Sequence, residues 1–295
     1  MNKPRVSIIG SGRVGTALAK QLHILGYPLG VLVARSLLHA EAAVSFVGAG
    51  QPHTDVRQAL ADDVVFLTVP DTQIAVVCAA LAKGNGWSSQ HLVVHCSGAL
   101  GTEVLADAQQ TGAAVLSLHP LLSISDPATG VQALPGAHFA LEGCARGMQF
   151  GRTLVAELGG TSLEVISGGK PLYHAAAALA SNGLAALLDM VLELLAAVGV
   201  TGDDAIQAAC ALAEGTIANI GREGLPEALT GPVERGDAAT VAKHLATLPS
   251  YPLILETYKA LSQRALQMSE KKGSAAAADI AVLHQLLDNK VVSER

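Results

Sequence analysis

Apolar positions along the chain fall into two regimes. Up to about residue 166 they come in short runs: Val6–Ile9, Leu29–Ala34, Val64–Val69, Leu92–Cys96 and Ala114–Leu118, with weaker ones at His138–Leu141 and Leu163–Ile166. Runs apolar on both faces are expected of parallel strands covered by helices on either side. Helix formers lie between them, as at Thr16–Leu22 and around residues 147–158. Strand and helix in alternation predict an α/β domain with a doubly wound parallel sheet. From Pro171 onward, Ala/Leu-rich helical patterns take over, at about 171–198, 203–222, 238–248, 252–271 and 275–287. The chain is therefore expected to divide at Ser167-Gly168-Gly169 into a sheet domain, 1–168, and an all-helical second domain, 169–295.

The first run leads directly into Gly10-Ser11-Gly12-Arg13-Val14-Gly15, and a helix follows. A G-x-G-x-x-G loop between strand and helix is the setting its mechanism needs. The first glycine makes the tight turn, the second admits a pyrophosphate close to the backbone, and the third lets helix and strand pack. The helix N-terminus then faces the phosphates. Gly10 to Gly15 are thus expected to hold a dinucleotide in a Rossmann-like domain. An NAD-preferring second strand ends in Asp or Glu, but here it ends in Ala34-Arg35-Ser36. A guanidinium and a hydroxyl at that point suit a 2′-phosphate, so Arg35 and Ser36, helped by Arg13, point to NADP. Arg35 can also be read as a solvated strand-end arginine.

Composition narrows the class. Hydrophobic residues make up 50% of the 295 and aromatics 3%, so the core is built from Ala, Val and Leu. A net charge of −6 supplies no basic face and argues against a nucleic-acid partner. Cys78, Cys96, Cys144 and Cys210 lack metal-ligand spacing; they read as reduced buried thiols, and no metal is expected. The apolar run after Lys3-Pro4-Arg5 is too short for a signal peptide. Residues 175–200 mimic a membrane span but carry Asn182, Asp189 and Glu193. A helix buried between domains or subunits accounts for them better. The expectation is a cytoplasmic protein, without membrane attachment, that forms a homodimer through its helical domain.

Ligands of open α/β sheets bind beyond the carboxyl ends of the strands. The third apolar run ends in Val69-Pro70-Asp71, where Val69 and Pro70 are expected to border the cofactor and Asp71 to cap a helix. The next two end in His95-Cys96-Ser97-Gly98 and His119-Pro120, which makes His95, Ser97 and His119 candidates for the nicotinamide end. Ser97 is alternatively a turn former and His119 a packed histidine. Lys170-Pro171-Leu172-Tyr173-His174 opens the helical domain, with Pro171 suited to the first helical position and Lys170 to the cap. Lys170, His174 and Ser181 then share one side of the helix, with Asn182 adjacent. Such groups on an Ala/Leu helix need a ligand or one another. Lys170 and His174 are the candidate catalytic pair; Ser97, His119 and Asn182 are candidate substrate ligands. Arg235, in the loop Leu229–Asp237, is a further candidate as a clamp on an anionic substrate.

In order and spacing these segments resemble a family of bacterial Rossmann-like proteins with an all-helical C-terminal domain of unknown function. The resemblance runs to about Leu266 and is most specific around Lys170 and Thr230. That family is similar to ketopantoate reductases, 6-phosphogluconate and β-hydroxyacid dehydrogenases, pyrroline-5-carboxylate reductases and deazaflavin-dependent NADP oxidoreductases. In the ketopantoate and β-hydroxyacid enzymes a lysine acts as general acid and an asparagine one turn later positions substrate. Lys170 matches the lysine, while His174 stands in the asparagine's place. The resemblance implies an NADP-dependent oxidoreductase acting on a small carbonyl, imine or hydroxy-acid substrate. A non-catalytic NADP-sensing protein and a deazaflavin–NADP oxidoreductase are the alternatives.

Overall fold

A computed structural model describes residues 3–84 and 86–288. Among these residues one sheet is built from β1 (Val6–Ile9), β2 (Leu29–Val33), β3 (Gln51–His53), β4 (Val64–Leu67), β5 (Leu92–His95), β6 (Ala114–Pro120), β7 (His138–Gly143) and β8 (Thr161–Glu164). The helices between them are α1 (Arg13–Ile24), α2 (Leu37–Val47), α3 (Asp71–Ala82), α4 (Ala106–Gln110), α5 (Pro127–Ala133) and α6 (Ala145–Glu157). The strand order is β3-β2-β1-β4-β5-β6-β7-β8. The order reverses direction at β1/β4, the switch point where such sheets open a crevice. Alternate residues of each strand feed opposite faces. Ile8, Phe66, Val94 and Leu116 join one buried cluster, and Ile9, Leu67, Val93 and Val115 the other.

Three details differ from the expected sheet. β3 was not anticipated, because Gln-Pro-His carries no apolar run and pairs only along Val31–Val33. β7 runs antiparallel to β6, whereas the other pairs are parallel; an apolar run looks the same whichever way it pairs. β8 begins at Thr161, earlier than expected, and is mostly exposed as an edge strand. Of the four free cysteines only Cys78 is buried; Cys96, Cys144 and Cys210 are partly exposed.

Next come α7 (Lys170–Ala178), a π turn at Leu179–Gly183, α8 (Leu184–Ala197), α9 (Gly202–Glu223), α10 (Ala238–Thr247), α11 (Pro252–Lys272) and α12 (Ala277–Asp288). The chain forms two compact units, Met1–Asn182 and Gly183–Arg295. The break lies later than the glycines at 168–169, because Lys170 is fully buried and ties α7 to the sheet unit. Within the helical unit, Val241, Leu266, Leu283 and Leu287 form one small core, and Leu248, Ile254 and Leu255 another. The continuous helix Lys170–Ala197 is long and apolar enough to cross a membrane, yet its most apolar stretch is not buried. In a single chain it is thus not the covered helix that its composition predicts.

Candidate active site

The glycine loop adopts the form its spacing predicts. Gly10 takes φ +107°, and a Cβ there would come within 2.6 Å of the Thr68 carbonyl carbon. A Cβ at Gly15 would overlap the Gly10 carbonyl oxygen. The Thr68 hydroxyl donates to that oxygen at 2.8 Å and so braces the loop against β4. Ser11 donates its hydroxyl to the Val33 carbonyl at 3.2 Å, tying the loop to β2. Gly12 is the N-cap of α1; no side chain caps this end, and a Cβ there would meet nothing within 4 Å. The first N–H groups of a helix have no partner within it, so the backbone N–H groups of Arg13 and Val14, with open space at Gly12, form a cradle suited to pyrophosphate.

Arg13 and Arg35 are both exposed, and neither guanidinium has a partner among the described residues. Ser36 is less free than expected. Its hydroxyl caps α2 by accepting the His39 N–H at 3.4 Å and lies 2.6 Å from His39 Nδ1. Val69 is half-buried beyond β4, and Pro70 rather than Asp71 is the N-cap of α3. Asp71 is instead the first helical residue, its carboxylate accepting the Ser97 hydroxyl at 2.7 Å.

A second group of polar side chains lies at the ends of β5 and β6 and on α7. His95 is fully buried; its Nδ1 accepts the Ser97 N–H at 3.2 Å while Nε2 donates to the Gly101 carbonyl at 3.0 Å. Burial pushes its pKa down to about 4 against that carbonyl bond, so it is a neutral shaper of the turn. The Ser97 hydroxyl donates to Asp71 and accepts the N–H groups of Ala99 at 3.2 Å and Leu100 at 3.1 Å. One proton and two lone pairs are thereby used. Ser97 builds the turn, with its hydroxyl fully engaged within the chain.

His119, Tyr173 and His174 come together. His119 Nδ1 is 3.0 Å from the Tyr173 hydroxyl, and its ring meets His174 edge-on at 6.0 Å and 85°. Gly98 fits between the imidazoles: a Cβ there would be 2.5 Å from His174 Nδ1 and 2.8 Å from His119 Nε2. Burial, aided by the charges of Lys170 and His174, lowers the His119 pKa to about 4. Lys170 lies 5.3 Å from the Tyr173 ring centroid, fully buried, its Nζ without a hydrogen-bond partner. Burial lowers its pKa to about 8, opposed by the carboxylate of Glu142 and then by Cys96 and Glu103. Gly169, not Lys170, is the helix cap, so Lys170 and Pro171 are the first two helical residues.

Lys170, His174 and His119 are therefore brought together as the sequence suggests. Asn182 is not. It and Ser181 are exposed within the π turn, whose wider winding breaks the 3.6-residue phase on which their alignment with Lys170 depended. Arg235 is exposed in the helical unit, its N–H donating to the Gly231 carbonyl at 3.2 Å. The sequence reading missed Thr68 and Glu142 and gave no role to Tyr173, although Tyr173 lies inside the motif that was singled out. Among the described residues, no group of three or more His, Cys, Asp or Glu side chains is placed to hold a metal ion.

A glycine cradle beside the switch point, with polar groups at the strand ends, defines a Rossmann-type unit. The sequence matches the model of a Rossmann-like domain over residues 1–120 and that of the domain of unknown function DUF2520 over 137–265. The chain thus carries a Rossmann-like domain followed by a DUF2520 domain, in keeping with the resemblance read from the sequence. The DUF2520 match begins just before β7 and contains both Glu142 and Lys170. No curated protein matches the sequence.

Protein TM1727 from Thermotoga maritima is similar in structure, with 26% identity, a TM-score of 0.73 and coverage of 90% of this chain and 99% of that one. A Bacteroides fragilis protein provisionally classed as an NADP oxidoreductase has 20% identity, a TM-score of 0.68 and the same coverage. A pyrroline-5-carboxylate reductase from Coxiella burnetii has 18% identity, a TM-score of 0.61 and coverage of 97% and 99%. At these identities the likeness to the latter two is one of fold.

Proposed function

We propose that this protein is an NADP(H)-dependent oxidoreductase acting on a small carbonyl, imine or hydroxy-acid substrate, with Lys170 as the proton donor. The observation that carries the reading is Lys170 itself, a fully buried ammonium with no hydrogen-bond partner. Leaving such a donor unpaired is unfavourable unless something else engages it. NADP(H) held on the Gly10–Gly15 loop would supply or accept the hydride. Arg35 and Arg13, both exposed, would take the 2′-phosphate, and Val69 and Pro70 would border the cofactor. With a pKa near 8, Lys170 is mostly protonated at neutral pH and close to the range a general acid needs. It would protonate the developing alkoxide or amine. His119 is neutral there, fixed by Tyr173, and His174 stands beside it as an exposed substrate-facing group.

The test is NADPH oxidation against a panel of cyclic imines, keto acids and a deazaflavin. Lys170→Ala should lower turnover by roughly 10²–10⁴ with NADPH affinity little changed. Full turnover in that variant overturns Lys170's role. NADPH binding with no turnover on any member would make this a cofactor-sensing protein.

We infer in addition that a second copy of the chain covers the helical unit. Val198, Ile206, Leu212 and Ile217 are all exposed, more apolar surface than a soluble monomer ordinarily leaves in water. Asp189 and Glu193 on α8 disfavour lipid as the cover.

A further inference from the structure

Among the described residues, three buried side-chain polar atoms have no hydrogen-bond partner: Ser117 Oγ, Glu142 Oε2 and Lys170 Nζ. Ser117 and Glu142 face each other on the β6–β7 ladder, and Ser117 faces His95 on the β5–β6 ladder. Facing residues of a ladder project to the same side of a sheet. His95, Ser117 and Glu142 therefore form a polar row across three strands, at 0%, 0% and 5% exposure. His119, two residues beyond Ser117, points to that side as well. Its bond to Tyr173, over whose ring Lys170 Nζ lies, brings the ammonium to the same side. Glu142 is anchored through its other oxygen, which accepts the N–H of Thr102 at 3.2 Å and the Thr102 hydroxyl at 3.4 Å.

We infer that Glu142 is the positioning residue that keeps Lys170 charged until it delivers its proton, with Ser117 completing the same buried polar set. This rests on the reading of Lys170 as proton donor. An isolated buried ammonium gives up its proton and an isolated buried carboxylate takes one; placed near each other, each preserves the other's charge. The two are not hydrogen-bonded to each other. Lys170 Nζ consequently keeps its N–H groups for a substrate atom instead of locking them in an ion pair. The other groups near Lys170 are weaker or uncharged. Glu103 supports its charge less than Glu142 does, burial pushes the Cys96 thiol up to about 12 and keeps it neutral, and His95 and His119 are neutral near pH 7.

The experiment is an NMR titration of the Lys170 side-chain nitrogen in the ¹⁵N-lysine-labelled full chain. It needs neither substrate nor cofactor. The parent should titrate near 8. Glu142→Gln should lower the proton affinity of Lys170 at least tenfold, and Glu142→Asp, which withdraws the carboxylate by one methylene, by less. Unchanged Lys170 titration in either folded variant overturns the inference, because a purely structural Glu142 would change the melting temperature alone. If Glu142→Gln does not fold, Glu142→Asp decides. With a substrate in hand, the alkaline limb of the kcat profile should move down in pH in Glu142→Gln while KM changes little. Absence of turnover would count against the proposed function and leave the titration result standing.

Discussion

The two compact units differ in how much apolar surface they bury. The sheet unit has a large core on both faces: Phe66 and Leu116 on one, and Leu67 and Val93 on the other, are all fully buried. The helical unit has two small cores and leaves Leu212 at 76% exposure and Ile217 at 55%. The unit with the larger buried core is also the one with unsatisfied polar atoms, Ser117, Glu142 and Lys170. A well-packed scaffold can hold such groups in place, whereas a loosely packed one would relax around them. The proposed chemistry and the proposed cover therefore fall on different units, and substitutions should separate them.

The largest effect is expected in the sheet core. Phe66→Ala should cost about 3–5 kcal/mol in urea unfolding. Leu212→Ala should change the stability of the monomer by no more than about 0.5 kcal/mol. Leu212→Glu should instead dissociate the proposed dimer, which light scattering at micromolar concentration would detect. Comparable losses for Phe66→Ala and Leu212→Ala would erase the contrast between the units, and a parent protein that scatters as a monomer would remove the proposed cover.

Acid should act on the sheet unit next. His95 has its pKa lowered from 6.5 to about 4, so between these values the unfolded chain binds more protons than the folded one. Stability is full above 6.5 and falls as the pH drops to 4, by about 3 kcal/mol for His95; His119 acts in the same direction. Urea midpoints measured over this range should slope steeply in the parent and less in His95→Gln. Equal slopes would show that His95 is not held neutral.

The smallest effect concerns the cofactor. Arg35→Glu should reduce the preference for NADPH over NADH roughly tenfold to a hundredfold, the worth of one charged hydrogen bond at about 1.5–3 kcal/mol. Fluorescence titration with both nucleotides measures it, and equal affinities in the parent would end the assignment of Arg35.

What could be read from the sequence follows from which forces are local. Period and apolarity place β1, β2, β4, β5 and β6, because each run is buried by its own composition. Glycine spacing places the loop, because its conformation depends on absent side chains. Lys170, His174 and His119 are legible as unusual groups at strand ends and a helix start. Strand direction at β7, the bond from the Ser97 hydroxyl to Asp71, and the π turn that displaces Asn182 depend on partners distant in sequence or on backbone winding. Glu142 was missed for a related reason. A carboxylate near the end of an apolar strand looks solvated until the ladder sets it opposite Ser117.

Gly98 gives the histidine pair a tolerance of one carbon atom. Nothing but hydrogen separates its backbone from His174 Nδ1 on one side and His119 Nε2 on the other. The spacing of the two rings is therefore gauged by the main chain, which cannot change rotamer, and not by a side chain, which can. Any other residue would act as a wedge and splay the rings apart. The site owes its dimensions to the smallest residue in it, one that offers substrate no functional group at all.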